Sequence, residues 1–221
     1  MKKLSWLLWK DGLIEVRTLE RFATLALFAT AVLLTLQFAL PPESEARPKA
    51  AAGFLWATVV FASVLEFRRS FESERRDGTL DGLRASPVDP TVLFIAKALS
   101  SLIVIAVLIA ALVPLTSLFF IEDMNGVPVA IGIAVLGAAG LIAWGTLFAA
   151  ISGTTRAGEI VLPILLFPLV IPQTIATVGL LAHYLAGQRL EGVPTGFLLL
   201  GAFDVLSWGT SLLLFEYVLE E

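Results

Sequence analysis

Long apolar stretches separated by short polar ones dominate the chain, and six of them approach the length needed to cross a membrane. A hydrocarbon core of about 30 Å takes roughly 20 helical residues. The six stretches are residues 22–40, 50–67, 98–121, 127–152, 160–182 and 196–219. The second is the shortest, and the charged residues that follow can extend it as helix beyond the membrane. The fifth is the least regular, because Pro163, Pro168 and Pro172 each remove a backbone donor. A kinked or broken segment is expected there, its freed carbonyls facing protein or a cavity. Ahead of the first span, Trp6, Trp9, Leu13, Val16 and Leu19 recur at helical spacing while Lys3, Lys10, Arg17 and Arg21 fall on the other side. Residues 1–21 therefore predict an amphipathic helix lying in the membrane interface. Leu4, Leu7 and Ile14 blur its polar face, so a solvated helix packed on a partner is the alternative.

Composition removes the soluble reading. Apolar residues make up 57% of the 221-residue chain and charged ones 15%, with a mean hydropathy of +0.89. A soluble fold of this size would leave more apolar surface than it could bury, whereas lipid removes that demand. The fold class is therefore an all-α polytopic membrane domain spanning residues 1–221. A net charge of −4 without a basic block excludes nucleic acid as a partner class. No cysteine is present, which excludes disulfides and thiolate metal sites. The N-terminus has no early apolar core or cleavage site and reads as uncleaved. With that end inside, twelve Lys and Arg fall in inner segments and three in outer ones. Both termini are then expected in the cytoplasm.

Between the second and third spans lies a charged excursion, EFRRSFESERRDGTLDGLRASPVDPTV, residues 66–92. Phe67 and Phe71 sit one helical turn apart, and Gly78 can end that helix in a left-handed cap. A second short helix is expected next, capped by Asp77 or Thr79, with Leu80 and Leu83 on one edge and Pro87 and Pro90 stopping it. Fewer than two turns are unstable alone, so such a helix must dock on something. A solvated loop with incidental charges is the plainer reading.

The run from Glu66 and Arg68 through Glu74, Gly78, Thr79, Leu80, Leu83, Ser86 and Pro87, continuing as VDPTVLFIAKALSSL past Lys97, resembles the ABC-2-type permease superfamily and, more narrowly, the CcmB family. Length, interfacial helix, six spans and the proline-bearing fifth span agree with that family over essentially the whole chain. The chain departs from the pattern at Arg84, Ala85 and Ala96. The resemblance implies a membrane subunit of the haem-exporter-type ABC transporter of cytochrome c maturation, in the bacterial inner membrane. It makes residues 68–92 a coupling loop whose short helix seats in a separate CcmA-type ATPase, with CcmC- and CcmD-type membrane proteins and the haem chaperone CcmE as further partners and two copies of this chain per complex. ATP then belongs to the partner, and the chain itself has no G-x-x-x-x-G-K-[ST] phosphate loop. Whether haem itself is moved, or ATP hydrolysis releases the loaded chaperone, the sequence leaves open, with release favoured. An ABC-2-type exporter of lipid or polysaccharide and a non-transporting scaffold are the alternatives.

Two further residues carry candidate chemistry. Asp204 lies about eight residues into the sixth span, roughly 12 Å deep at 1.5 Å per residue. A carboxylate there costs at least about 2.5 kcal/mol on insertion scales, so it must face protein or water. It is either a conformational or substrate contact, or one half of an interhelical hydrogen bond to Ser207 or Thr210. The single histidine, His183, sits beside Tyr184 at the outer end of the fifth span, where it is a candidate haem ligand or a plain interfacial residue. No catalytic residues or metal site are expected. A protease would need a second buried carboxylate or a nucleophile with its base, and a channel would need repeated pore-lining polar positions.

Overall fold

The computed structural model describes residues 19–39, 46–76, 90–118, 126–153, 158–188 and 194–220. All regular structure among them is helical. In chain order the helices are α1 Leu19–Phe38, α2 Arg47–Arg76, α3 Pro90–Ser117, α4 Val127–Gly153, α5 Gly158–Leu185 and α6 Pro194–Glu220. Five are long and apolar enough to cross a membrane, through Arg47–Arg68, Pro90–Ser117, Val127–Ser152, Leu162–Leu185 and Thr195–Val218. The apolar part of α1, Phe22–Phe38, is shorter and spans about 25 Å at 1.5 Å per residue. The predicted interfacial helix lies outside the described residues but for its last few, which open α1.

At the centre is α4, which packs against α2, α3, α5 and α6. Every residue from Leu141 to Ala149 is buried, so this helix has no lipid-facing side over that stretch. Its small residues explain why neighbours approach so closely. A β-carbon on Gly145 would strike the ring of Phe67 of α2. One on Gly137 would meet Thr177 of α5 and lie 2.9 Å from Trp56 of α2. At the other extreme, α6 is the least buried span, with Leu198, Val205 and Leu213 each more than two-thirds exposed.

Five buried hydroxyls are satisfied within their own helices. Ser63, Thr116, Ser117, Thr177 and Ser207 each donate to the carbonyl one turn back, at 2.7–3.0 Å, which lets a polar residue sit in an apolar helix.

The fifth helix corrects the expectation of a break. It runs unbroken from Gly158 to Leu185 through Pro163, Pro168 and Pro172. Pro168 and Pro172 lie on an exposed side with Ile164, Phe167 and Ile171, while Leu166, Val170, Gln173, Thr177 and Leu180 are buried along the opposite one. Packing of that buried stripe on α4 and α2 keeps the segment helical across its three prolines. Phe167, Pro168 and Ile171 instead line one wall of a groove of about 420 Å³, with Trp56, Val60 and Phe61 of α2 on the other. The helix ends three residues later than predicted, at a Schellman turn. Gly187 has φ +67°, its N–H donates to Tyr184 O at 2.9 Å, and Gln188 N–H donates to His183 O at 3.0 Å.

The third helix also begins earlier than its apolar stretch, at Pro90, where a missing N–H costs nothing in the first turn. Lys97 consequently sits inside the bundle, 6% exposed, and has a polar partner there. It does not reach for the headgroups as a residue at the mouth of a span would.

Candidate functional site

The charged excursion after α2 is partly visible. α2 continues to Arg76, eight residues beyond its apolar stretch, or about 12 Å at 1.5 Å per residue. It ends two residues before Gly78. Glu66 is buried within the bundle and Arg68 is exposed; both have polar partners. Glu74 rides on the last turns of α2. Gly78, Thr79, Leu80, Leu83, Ser86 and Pro87 lie outside the described residues.

A second site is built where α4, α5 and α6 meet. Gln173 of α5 is 1% exposed, and its Nε2 donates to Asp204 Oδ1 of α6 at 3.0 Å and to the Gly137 carbonyl of α4. Asp204 thus faces protein, as its position in the membrane requires, but its partner is neither of those expected. Ser207 turns its hydroxyl to Phe203 O at 2.7 Å. Gly140 of α4 forms the floor: a β-carbon there would lie 2.6 Å from both Asp204 Oδ1 and Gln173 Nε2, and 3.0 Å from Gln173 Oε1. Two indoles bracket the pair. Trp208 Nε1 of α6 donates to Ala139 O at 3.2 Å, and Trp56 Nε1 of α2 donates to Thr174 Oγ1 at 3.1 Å. Trp208 is held in turn by Phe94 of α3, edge-on at 5.8 Å between centroids. The carboxylate of α6 is therefore held between Gln173 of α5 and Gly140 of α4.

Sequence reasoning found Asp204 but missed Gln173, Gly137, Gly140 and both tryptophans. One signal was present: Gln173 is the sole amide in an otherwise apolar run, and a polar side chain at membrane depth marks a site.

His183 turns inward along its own helix, with Nδ1 donating to the Gly179 carbonyl at 3.1 Å. Tyr184 does not join it, being buried against the first turn of α4, where a β-carbon on Gly126 would lie 2.5 Å from its ring. Among the described residues no group of three or more His, Cys, Asp or Glu is placed to hold a metal ion.

Fold and site define a multi-pass helical membrane protein whose polar residues serve helix contacts inside the bundle. The chain belongs to the CcmB family, whose pattern it matches over residues 2–215. Heme exporter protein B of Pseudomonas aeruginosa is 26% identical over 188 residues, covering 85% of this chain and 84% of that one. The proteins of that name from Rhodobacter capsulatus and Bradyrhizobium diazoefficiens are 28% and 26% identical. They cover 87% and 94% of this chain, and 88% and 92% of their own lengths.

Proposed function

We propose that this chain is the transmembrane subunit of the haem-export ABC transporter of cytochrome c maturation. The family match along residues 2–215 carries that reading. It is a permease subunit and performs no catalysis. ATP is hydrolysed by a separate CcmA-type subunit, docked on the loop between α2 and α3 through Leu80 and Leu83. CcmC- and CcmD-type membrane proteins complete a complex holding two copies of this chain, and CcmE is the haem chaperone it serves. The protein sits in the bacterial inner membrane with both ends in the cytoplasm, in keeping with the twelve-to-three distribution of Lys and Arg. Haem is the cargo of the complex, and the work of ATP hydrolysis is release of the loaded chaperone. His183 is the residue of this chain offered to haem.

The test is affinity purification of the tagged full chain from its native membrane. An ATPase and haem-handling partners are expected to accompany it. Recovery of an envelope polymer or lipid instead would establish the alternative exporter, and recovery without any ATPase would leave a scaffold.

A further inference from the structure

The contact between α5 and α6 leaves two acceptors without a donor. Asp204 Oδ2 and Gln173 Oε1 are both enclosed, and neither has a hydrogen-bond partner. The amide hydrogens of Gln173 are directed to Gly137 O and Asp204 Oδ1. An ionised carboxylate accepts hydrogen bonds and donates none. With Asp204 ionised, Gln173 Oε1 stays unsatisfied and Oδ2 carries charge into the membrane interior, where a charge must be paired or hydrogen-bonded.

One proton changes that inventory. A neutral carboxylic acid gains an O–H, and the enclosed amide carbonyl is the acceptor that lacks one. Acid and primary amide have complementary edges, N–H to carboxyl oxygen and O–H to amide oxygen. Both groups converge above Gly140, where a glycine leaves them room.

The surroundings do not supply an alternative counter-charge at this level. Three helices pack on α6. α4 has no titratable residue along its length. α5 has Glu159 near its start and His183 and Tyr184 near its end, each several turns from Gln173 or more. α3 contributes Lys97, which is buried and engaged in a polar interaction. On α6 itself Glu216, Tyr217 and Glu220 lie three turns or more beyond Asp204. A metal cation would need several more oxygen ligands than this carboxyl and amide offer.

We propose that Asp204 and Gln173, converging over Gly140, form a buried proton-binding site that joins α5 and α6 across α4. Loss of the proton removes the donor and places like acceptors face to face, so the bundle has a protonated clasped state and a deprotonated state in which α6 is less tightly held.

Infrared spectroscopy of the full chain in detergent, grown with isotope-labelled aspartate, tests this directly. At neutral pH the wild-type protein is expected to show one protonated-carboxyl band, absent from Asp204→Asn and shifted in frequency in Gln173→Leu. Should the Asn variant not fold, a chain with Asn at Asp11, Asp77, Asp81, Asp89 and Asp123 keeps Asp204 as its one aspartate, and the same band is expected. A spectrum with carboxylate bands only, as a water-bridged anion would give, overturns the proposal. So does a protonated band that Gln173→Leu leaves unshifted.

Discussion

Asp204 shows how far a single residue can be read. Its depth in an apolar stretch demanded a protein-facing partner, and that much was legible. The partner was not, because Gln173 lies on another helix, 31 residues away, and the register between two helices is set by packing that sequence does not display. The pair makes opposite predictions for two variants. Asp204→Asn keeps a hydrogen-bonding group and should melt close to wild type. Asp204→Leu removes a buried acceptor and should lower stability by about 1–3 kcal/mol, measured as thermal unfolding in detergent. The glycines of α4 separate just as cleanly. Gly145→Ala drives a methyl into Phe67, itself 1% exposed, and overpacking of that kind costs roughly 1–3 kcal/mol. Gly132→Ala on the same helix meets nothing within 4 Å, so its melting temperature should be unchanged or raised.

Among the elements, each apolar stretch falls on one helix, five of them long enough to cross a membrane, but several helix ends lie elsewhere than hydropathy alone would put them. The reason is that hydropathy reports the thickness of the lipid core, whereas helix ends are set by caps, prolines and packing. α2 outlasts its apolar stretch because Phe67 and the charged residues after it keep helical spacing, which the sequence disclosed. The continuity of α5 was hidden, because proline content describes the donors a helix loses and not the neighbours that hold it together. The same holds for Lys97: a helix starting at Ala98 would put it at a membrane mouth, whereas one starting at Pro90 carries it inside. Lys97→Arg should therefore not be silent. The larger guanidinium must fit a packed site, and a loss of roughly 1–3 kcal/mol is expected; a wild-type melting curve would return Lys97 to the headgroups. In the loop after α2, Leu83→Asp should leave the spans inserted and reduce ATPase recovery in a detergent pull-down. Loss of an apolar anchor at an interface centre costs above about 1 kcal/mol. Full recovery of the ATPase would remove the docking role given to that loop.

For the molecule as a whole, orientation is open to a simple check, since no native cysteine interferes. A cysteine at Ser44 should react with an impermeant maleimide from outside, and one at Ser73 only after the membrane is opened. The reversed pattern would invert the topology. The seat at Gly140 bears on how the protein is made. Ribosomes deliver α4 and α5 before α6, so the floor and Gln173 are in the membrane when Asp204 arrives. An unaccompanied carboxylate costs roughly 2.5–3.5 kcal/mol to insert, enough to leave a fraction of chains with α6 on the wrong side. Gln173 is therefore expected to act as a receiver for Asp204 during biogenesis. In Gln173→Leu, a reporter fused after α6 should be mislocalised in a larger share of newly made chains, even where the mature protein that does form is stable.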